Sequence, residues 1–267
     1  MITGIHHVAL VVRSLDDAVS FYRDVLGLAP GRCETVAEQG VRAALFPLED
    51  GEIELLEPVN PAGGVAKFLE KRGEGPHHLC IATSDIDADL AAAKAAAVPL
   101  IDQAPRAGLA GRIAFLHPNA SQGMLVELAQ PEPAAHHAPR GSGIRARALR
   151  TVYVGTKDLS EGLETFVRTY AAQPDEGDED PRLGGQTRGV RVGSGHLTLV
   201  PAASAPGLFA GRAHGLLGVC LSVEDVEAAA RHLESRDVGV EVLRHAALPP
   251  LVRVDPARTN GMPLLLG

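Results

Sequence analysis

With 267 residues, 45% of them apolar and 22% charged, the chain can bury one large core or two of roughly 130 residues, and disorder is excluded for its bulk. A formal net charge of −8 argues against bare nucleic acid or an anionic membrane as a partner, and 3% aromatics with no Trp argue against recognition by base or sugar stacking. Cys33, Cys80 and Cys220 are scattered and form no CxxC pair, which favours a reducing compartment over a disulfide framework.

The opening run MITGIHHVALVV is apolar but interrupted by histidines and lacks a basic flank. It reads as a strand and not as a signal peptide, and no run reaches the length of a membrane span, so a cytoplasmic protein is expected. Ser14 is placed to cap a helix that buries Ala18, Phe21, Tyr22, Val25 and Leu26 on one face, with Gly27 closing it. VRAALFPL and EIELLEP follow as strands. The pattern returns as PHHLCIATSDIDADLAAAKAAAVPL, with Ser84 as the expected cap, and then GRIAFLHP and GMLVELAQ. His7 to His78 and Leu15 to Ile86 share one offset of 71 residues, so the register of the repeat is kept.

The stretch from Pro131 to Gly143 is rich in Pro and small residues and predicts a linker. Boundaries are drawn at 1–130, 131–147 (linker) and 148–267. Beyond it, LRTVYVGTKDLSEGLETFV and LLGVCLSVEDVEAAARHL begin a third and a fourth copy, with RGVRVGSG, HLTLVP, LVRVDP and MPLLLG as strands. The acid-rich run from Pro174 to Gly185 reads as a solvated loop. Four βαβββ modules, two per half, predict an α+β fold of tandem domains with curved mixed sheets.

Within these strands, polar residues occupy places where an apolar one is expected: His7 in IHHVALVV, Glu54 in EIELLEP, His78 in PHHLCIA and Glu127 in GMLVELAQ. They fall at repeat-equivalent places in the first two modules. A buried carboxylate without a partner is costly, whereas two imidazoles and two carboxylates together suit one divalent metal ion such as Co, Mn, Ni or Zn. No thiolate is expected among the ligands. His6 and His77 adjoin two of these residues, and strand alternation lets only one of each pair face the metal.

The first half also resembles the vicinal-oxygen-chelate superfamily, and within it the methylmalonyl-CoA epimerases. The resemblance runs through HHVALVV, ETVAEQGVRAALF, IELLEPVNP, VAKFLEKRGEGPHHLCIA, LIDQAPRAG, RIAFLHP and GMLVELAQ, in the family's order over residues 1–130. It implies His7, Glu54, His78 and Glu127 as the metal ligands, choosing the second histidine of each doublet. It implies interconversion of the 2R and 2S forms of methylmalonyl-CoA through α-proton removal and a metal-stabilised enolate, with Glu127 as one catalytic base. The partner implied is an acyl-CoA substrate. Two departures stand out: Ala43 where some members carry a second Glu, and Asn119 where many carry Lys. Lys67, Lys71 and Arg72 remain as basic residues near a CoA phosphate or as a solvated helix end.

Carried into the second half, the ligand positions fall on Thr151, about Leu197, Gly218 and Leu265, which predicts a degenerate domain without metal ligands. His196, His214, His232 and His245 lie off the repeat and are expected to be surface or structural. Family epimerases are usually homodimers of single-domain chains, so the second domain is expected to stand in for a partner subunit. The alternatives are a glyoxalase I-type lyase acting on a glutathione hemithioacetal and a non-catalytic small-molecule-binding protein of the same fold. Two-domain extradiol dioxygenases fit less well, because Glu54 would add a fourth ligand.

Overall fold

The computed structural model describes residues 1–132, 143–175, 179–183 and 185–267. Residues 133–142 of the expected linker, and 176–178 and 184 of the acid-rich loop, lie outside the described residues.

All four βαβββ modules are present. The first runs β1 (Ile2–Val11), α1 (Leu15–Ser20), β2 (Cys33–Val36), β3 (Val41–Pro47) and β4 (Glu52–Pro58), followed by α2 (Gly64–Arg72), a helix the repeat did not announce. The second is β5 (Gly75–Thr83), α3 (Ile86–Ala95), β6 (Arg106–Gly108), β7 (Gly111–Leu116) and β8 (Leu125–Gln130). The third is β9 (Ala146–Thr156), α4 (Leu159–Tyr170), β10 (Gln173–Pro174), the short hairpin β11 (Glu179–Asp180) and β12 (Gly185–Gln186), β13 (Arg188–Val192) and β14 (Gly195–Pro201). The fourth is β15 (Gly215–Val223), α5 (Val226–Glu234), β16 (Val240–His245), β17 (Leu248–Val254) and β18 (Leu264–Leu266).

Each half forms one eight-stranded sheet, ordered β2-β3-β4-β1-β5-β8-β7-β6 and β10-β13-β14-β9-β15-β18-β17-β16. The sheets are mixed. β5 runs parallel to β8 and β9 parallel to β14, while the hairpins β3–β4 and β7–β8 are antiparallel. The central strands are almost wholly buried, which explains why β1 and β5 read as apolar runs in place of alternating ones.

One short-range rule starts each main helix. Ser14, Asp85, Asp158 and Asp225 sit in extended backbone and accept an N–H from the first turn with the side chain. The second cap is therefore Asp85 and not the expected Ser84: its carboxylate takes the Ala88 N–H at 3.0 Å, whereas the Ser84 hydroxyl donates to the Met1 carbonyl at 3.3 Å. The shared offset of 71 residues leads from Ser14 to Asp85 as well. In the first module Ala18, Tyr22 and Leu26 are buried while Phe21 and Val25 are half-buried, and Gly27 follows the helix end as expected.

By compactness the chain divides across its halves. One unit comprises Met1–His7, His78–Ala135 and Thr151–Leu217; the other comprises Val8–His77, His136–Arg150 and Gly218–Gly267. In the first unit the β7–β8 connection is held by third-module side chains. The Gln122 amide donates to the Thr165 hydroxyl and accepts from the Thr156 hydroxyl, both at 3.0 Å, and the Ser121 and Tyr170 hydroxyls are hydrogen-bonded in the interior. The β13–β14 turn meets the start of β1, where the Ser194 N–H donates to the Thr3 carbonyl at 2.9 Å. In the second unit, His232 Nε2 lies 2.8 Å from the Val25 carbonyl, and Arg236 donates to the Asp24 carbonyl at 3.1 Å. No helix among the described residues is long and apolar enough to cross a membrane.

Gly193 makes the β13–β14 turn possible. Its φ is +58°, and a Cβ there would come within 2.3 Å of the Thr3 carbonyl carbon. Gly193→Ala is expected to destabilise the protein by about 1–3 kcal/mol through backbone strain and overlap. Urea denaturation checks this; an unchanged midpoint would mean that the turn does not bear on the start of β1.

Candidate metal centre

His7 lies on β1 and His78 on β5, two buried strands, and both rings are almost fully enclosed. Their Nε2 atoms are 3.1 Å apart. Glu127 on β8 is also buried, with one carboxylate oxygen 4.0 Å from His7 Nε2 and the other 3.9 Å from His78 Nε2. The parallel β5–β8 ladder sets this triangle, because Glu127 pairs with Cys80, two residues beyond His78 and on the same face. Three of the four expected ligands are thereby brought together in the first unit. Glu54 lies in the second unit, buried on β4 and paired with Leu45 of β3.

Two neighbours stand closer to these residues than the sequence reading placed them. His6 is not simply turned away by strand alternation: its Nδ1 lies 3.0 Å from Nδ1 of His7, the two rings meeting edge to face. It can accept the His7 Nδ1 proton and so present His7 Nε2 as a lone pair. No thiolate was expected among the ligands, yet a thiol stands beside them. Cys80 is fully buried, hydrogen-bonds Glu127, and joins His6 and His7 in a group whose ligand atoms lie within 4.8 Å of one another. The signals were in the chain: the HH doublet, and the two-residue spacing from His78 to Cys80. His77 instead packs edge to face on Phe68 of α2, with ring centroids 4.8 Å apart.

The electrostatics fit a cation. Burial, reinforced by the His6 ring, holds His7 well below the usual imidazole range, in the neutral form that ligates. Burial pushes the Glu127 carboxyl up to about 7, against the pull of the Cys80 hydrogen bond and the Arg106 charge. A buried carboxylate that is costly to ionise beside two converging imidazole nitrogens is a donor set that a divalent ion would stabilise.

Residues 6–116 match the Glyoxalase/Bleomycin resistance protein/Dioxygenase superfamily. A Bacillus subtilis protein, YqjC, is 42% identical over 132 residues, 49% of this chain and 94% of that protein. The ethylmalonyl-CoA/methylmalonyl-CoA epimerase of Cereibacter sphaeroides is 36% identical over 133 residues, 49% of this chain and 99% of that protein. The chain belongs to this superfamily. Among solved structures, a Streptomyces coelicolor methylmalonyl-CoA epimerase in complex with 2-nitronate-propionyl-CoA is 36% identical, covers 50% of this chain and 100% of its own, and gives a TM-score of 0.48.

The repeat-equivalent places in the second half, Thr151, Leu197, Gly218 and Leu265, hold neither imidazole nor carboxylate. By strand register Thr198 stands opposite Tyr153, two residues beyond Thr151, one place from Leu197, the approximate counterpart expected for Glu54. Thr198 and Thr151 join hydroxyls at 2.9 Å. In the fourth module Leu265 pairs with Cys220 as expected, and a Cβ on Gly218 would lie 2.3 Å from the Pro263 carbonyl oxygen, so a His side chain has no room there. His196 pairs with Asp175 at 3.2 Å, while His214 and His245 are exposed. Of the departures within the first half, Ala43 is fully buried with Glu34 opposite it in the β2–β3 ladder, and the Asn119 N–H donates to His117 Nδ1 at 3.2 Å.

His77 gives the fold an acid limit. Burial and the Arg72 charge lower it from 6.5 to about 4. As pH falls below 6.5 the unfolded chain takes up a proton that the folded one refuses, so stability is lost between those two values, by on the order of 3 kcal/mol in all. His77→Gln is expected to flatten that decline in denaturant titrations run across this range. An unchanged slope would assign the acid sensitivity to other groups.

Proposed function

We propose that this chain is a metal-dependent epimerase of methylmalonyl-CoA. The observation that carries the reading is the meeting of the His7 and His78 Nε2 atoms with the buried Glu127 carboxylate on one sheet face. The relatives that are epimerases supply the substrate class. His7, His78 and Glu127 would hold the ion, with Glu54 as the fourth ligand that the family resemblance implies.

A bound divalent ion supplies a Lewis acid toward the thioester and carboxylate oxygens flanking the α carbon. The residues do the rest. Glu127, whose dry surroundings raise its proton affinity, takes the α proton onto a carboxylate oxygen as the base on one face. His6 fixes the His7 tautomer through the Nδ1 contact. The apolar strands around the site keep bulk water from the enolate. Inversion at C2 then needs a proton delivered to the opposite face by a second acid, a role that Ala43, at the place of the second Glu, does not supply. Residues 148–267 take the place of a second subunit in this reading, supported by the way Thr156, Thr165 and Tyr170 hold the β7–β8 connection.

Methylmalonyl-CoA incubated in deuterated water with protein loaded with Co, Mn, Ni or Zn is expected to gain deuterium at C2, with about one ion per chain. His78→Ala is expected to slow exchange by at least roughly 100-fold and to lower bound metal. Absence of exchange with every one of these ions overturns the epimerase. A ratio near two ions per chain overturns the single working half.

A further inference from the structure

The first unit carries a cation on the face of the sheet that holds Glu127. β6 pairs with β7 so that Arg106 stands opposite Ile113, and β7 pairs with β8 so that Phe115 stands opposite Glu127. Side chains paired across a ladder share a face, as do residues two apart along one strand. Arg106, Ile113, Phe115 and Glu127 therefore line the same side of the sheet as Cys80, and Ile113, Cys80 and Phe115 pack together on it.

On that face the side chains touch in series. The Arg106 guanidinium lies over the Phe115 ring, Cζ 5.6 Å from its centroid. Phe115 in turn meets the His78 ring edge to face at 5.3 Å. Asp102 holds the outer end: its Oδ2 accepts the Phe115 N–H at 2.9 Å and lies 3.5 Å from Arg106 Nε. That arrangement engages Nε and one face of the guanidinium and leaves the two terminal nitrogens, on a side chain 41% exposed, for an incoming anion. The Arg106 charge is also felt at Glu127, where it favours the ionised carboxylate.

Resting on the epimerase reading, we propose that Arg106 binds the free carboxylate of the acyl group and so selects CoA thioesters that carry a carboxylate on the α carbon. A planar guanidinium anchored through Nε offers its terminal N–H groups to a carboxylate in the geometry that such pairs prefer, and its stacking on Phe115 keeps it in place at little entropic cost. The need for it follows from charge. Glu127 is an anion at the reacting end of the site, the substrate brings a second beside C2, and transfer of the α proton to Glu127 moves the first charge onto the enolate, next to the second. A fixed cation one ring away from His78 offsets that accumulation.

The phosphates of CoA are anions too, so the test separates the two sources. Binding of methylmalonyl-CoA and of propionyl-CoA, which keeps the phosphates and lacks the carboxylate, is measured by calorimetry on metal-loaded wild type, Arg106→Gln and Arg106→Lys, with thermal melts confirming the fold. Arg106→Gln is expected to weaken methylmalonyl-CoA binding about tenfold or more and to leave propionyl-CoA within about twofold, with Arg106→Lys recovering part of the loss. Equal weakening of both ligands would place Arg106 on the phosphates and overturn the proposal, as would no weakening of either. Deuterium exchange by the wild type separates the two levels of inference. Exchange with an indifferent Arg106→Gln removes the role of Arg106 alone, whereas a wild type that neither binds nor exchanges removes the epimerase and this proposal with it.

Discussion

Two imidazole nitrogens 3.1 Å apart in a dry interior impose a condition on everything around them. Both cannot turn lone pairs inward unless something positive lies between, and a proton shared by the pair would use the position a metal needs. His6 Nδ1, 3.0 Å from His7 Nδ1, can accept a proton held there, which would leave His7 Nε2 with its lone pair. Position on β1 and β5, buried strands within one sheet, keeps water from substituting for either contact. The doublet histidine that looked redundant is thereby the residue that sets the orientation of its neighbour.

The same module without its charges shows what the site requires. Where the first half places imidazole and carboxylate, the third module joins two threonine hydroxyls at 2.9 Å. A neutral pair of this kind satisfies its own donors and acceptors and calls for no cation. The fourth module goes further, with Leu265 in the place of the carboxylate and backbone against Gly218 where a ring would stand. Polar residues on buried strands are stable only where something pairs them, and these places in the second half hold groups that pair with each other or need no partner.

Much of this was legible in the chain because the repeat supplied four views of one module. The strands announced themselves as short apolar runs between Gly and Pro, and His7, His78 and Glu127 stood out because a carboxylate or an imidazole in such a run is costly. The failures were local. Ser84 and Asp85 are both good caps, and only the backbone turn at Asp85 decides between them. Leu197 was read only to within a residue as the counterpart of Glu54, because composition does not set strand register. Cys80 was read for its redox context and not for its face, although its distance from His78 is the strand period. Arg106 lay inside a motif noted only for resemblance, and its relation to Phe115 and Glu127 depends on the two ladders that bring β6, β7 and β8 together.

The crossing of the compact units over the halves bears on how the protein is made. The first unit draws its segments from Met1 to Leu217, and the second from Val8 to Gly267. A chain emerging from the ribosome therefore has every segment of the unit holding His7, His78 and Glu127 before the other unit has all of its own. The fourth module, synthesised after the other three, completes a unit whose first segment lies far back along the chain, a pairing of distant segments that is slow by its topology.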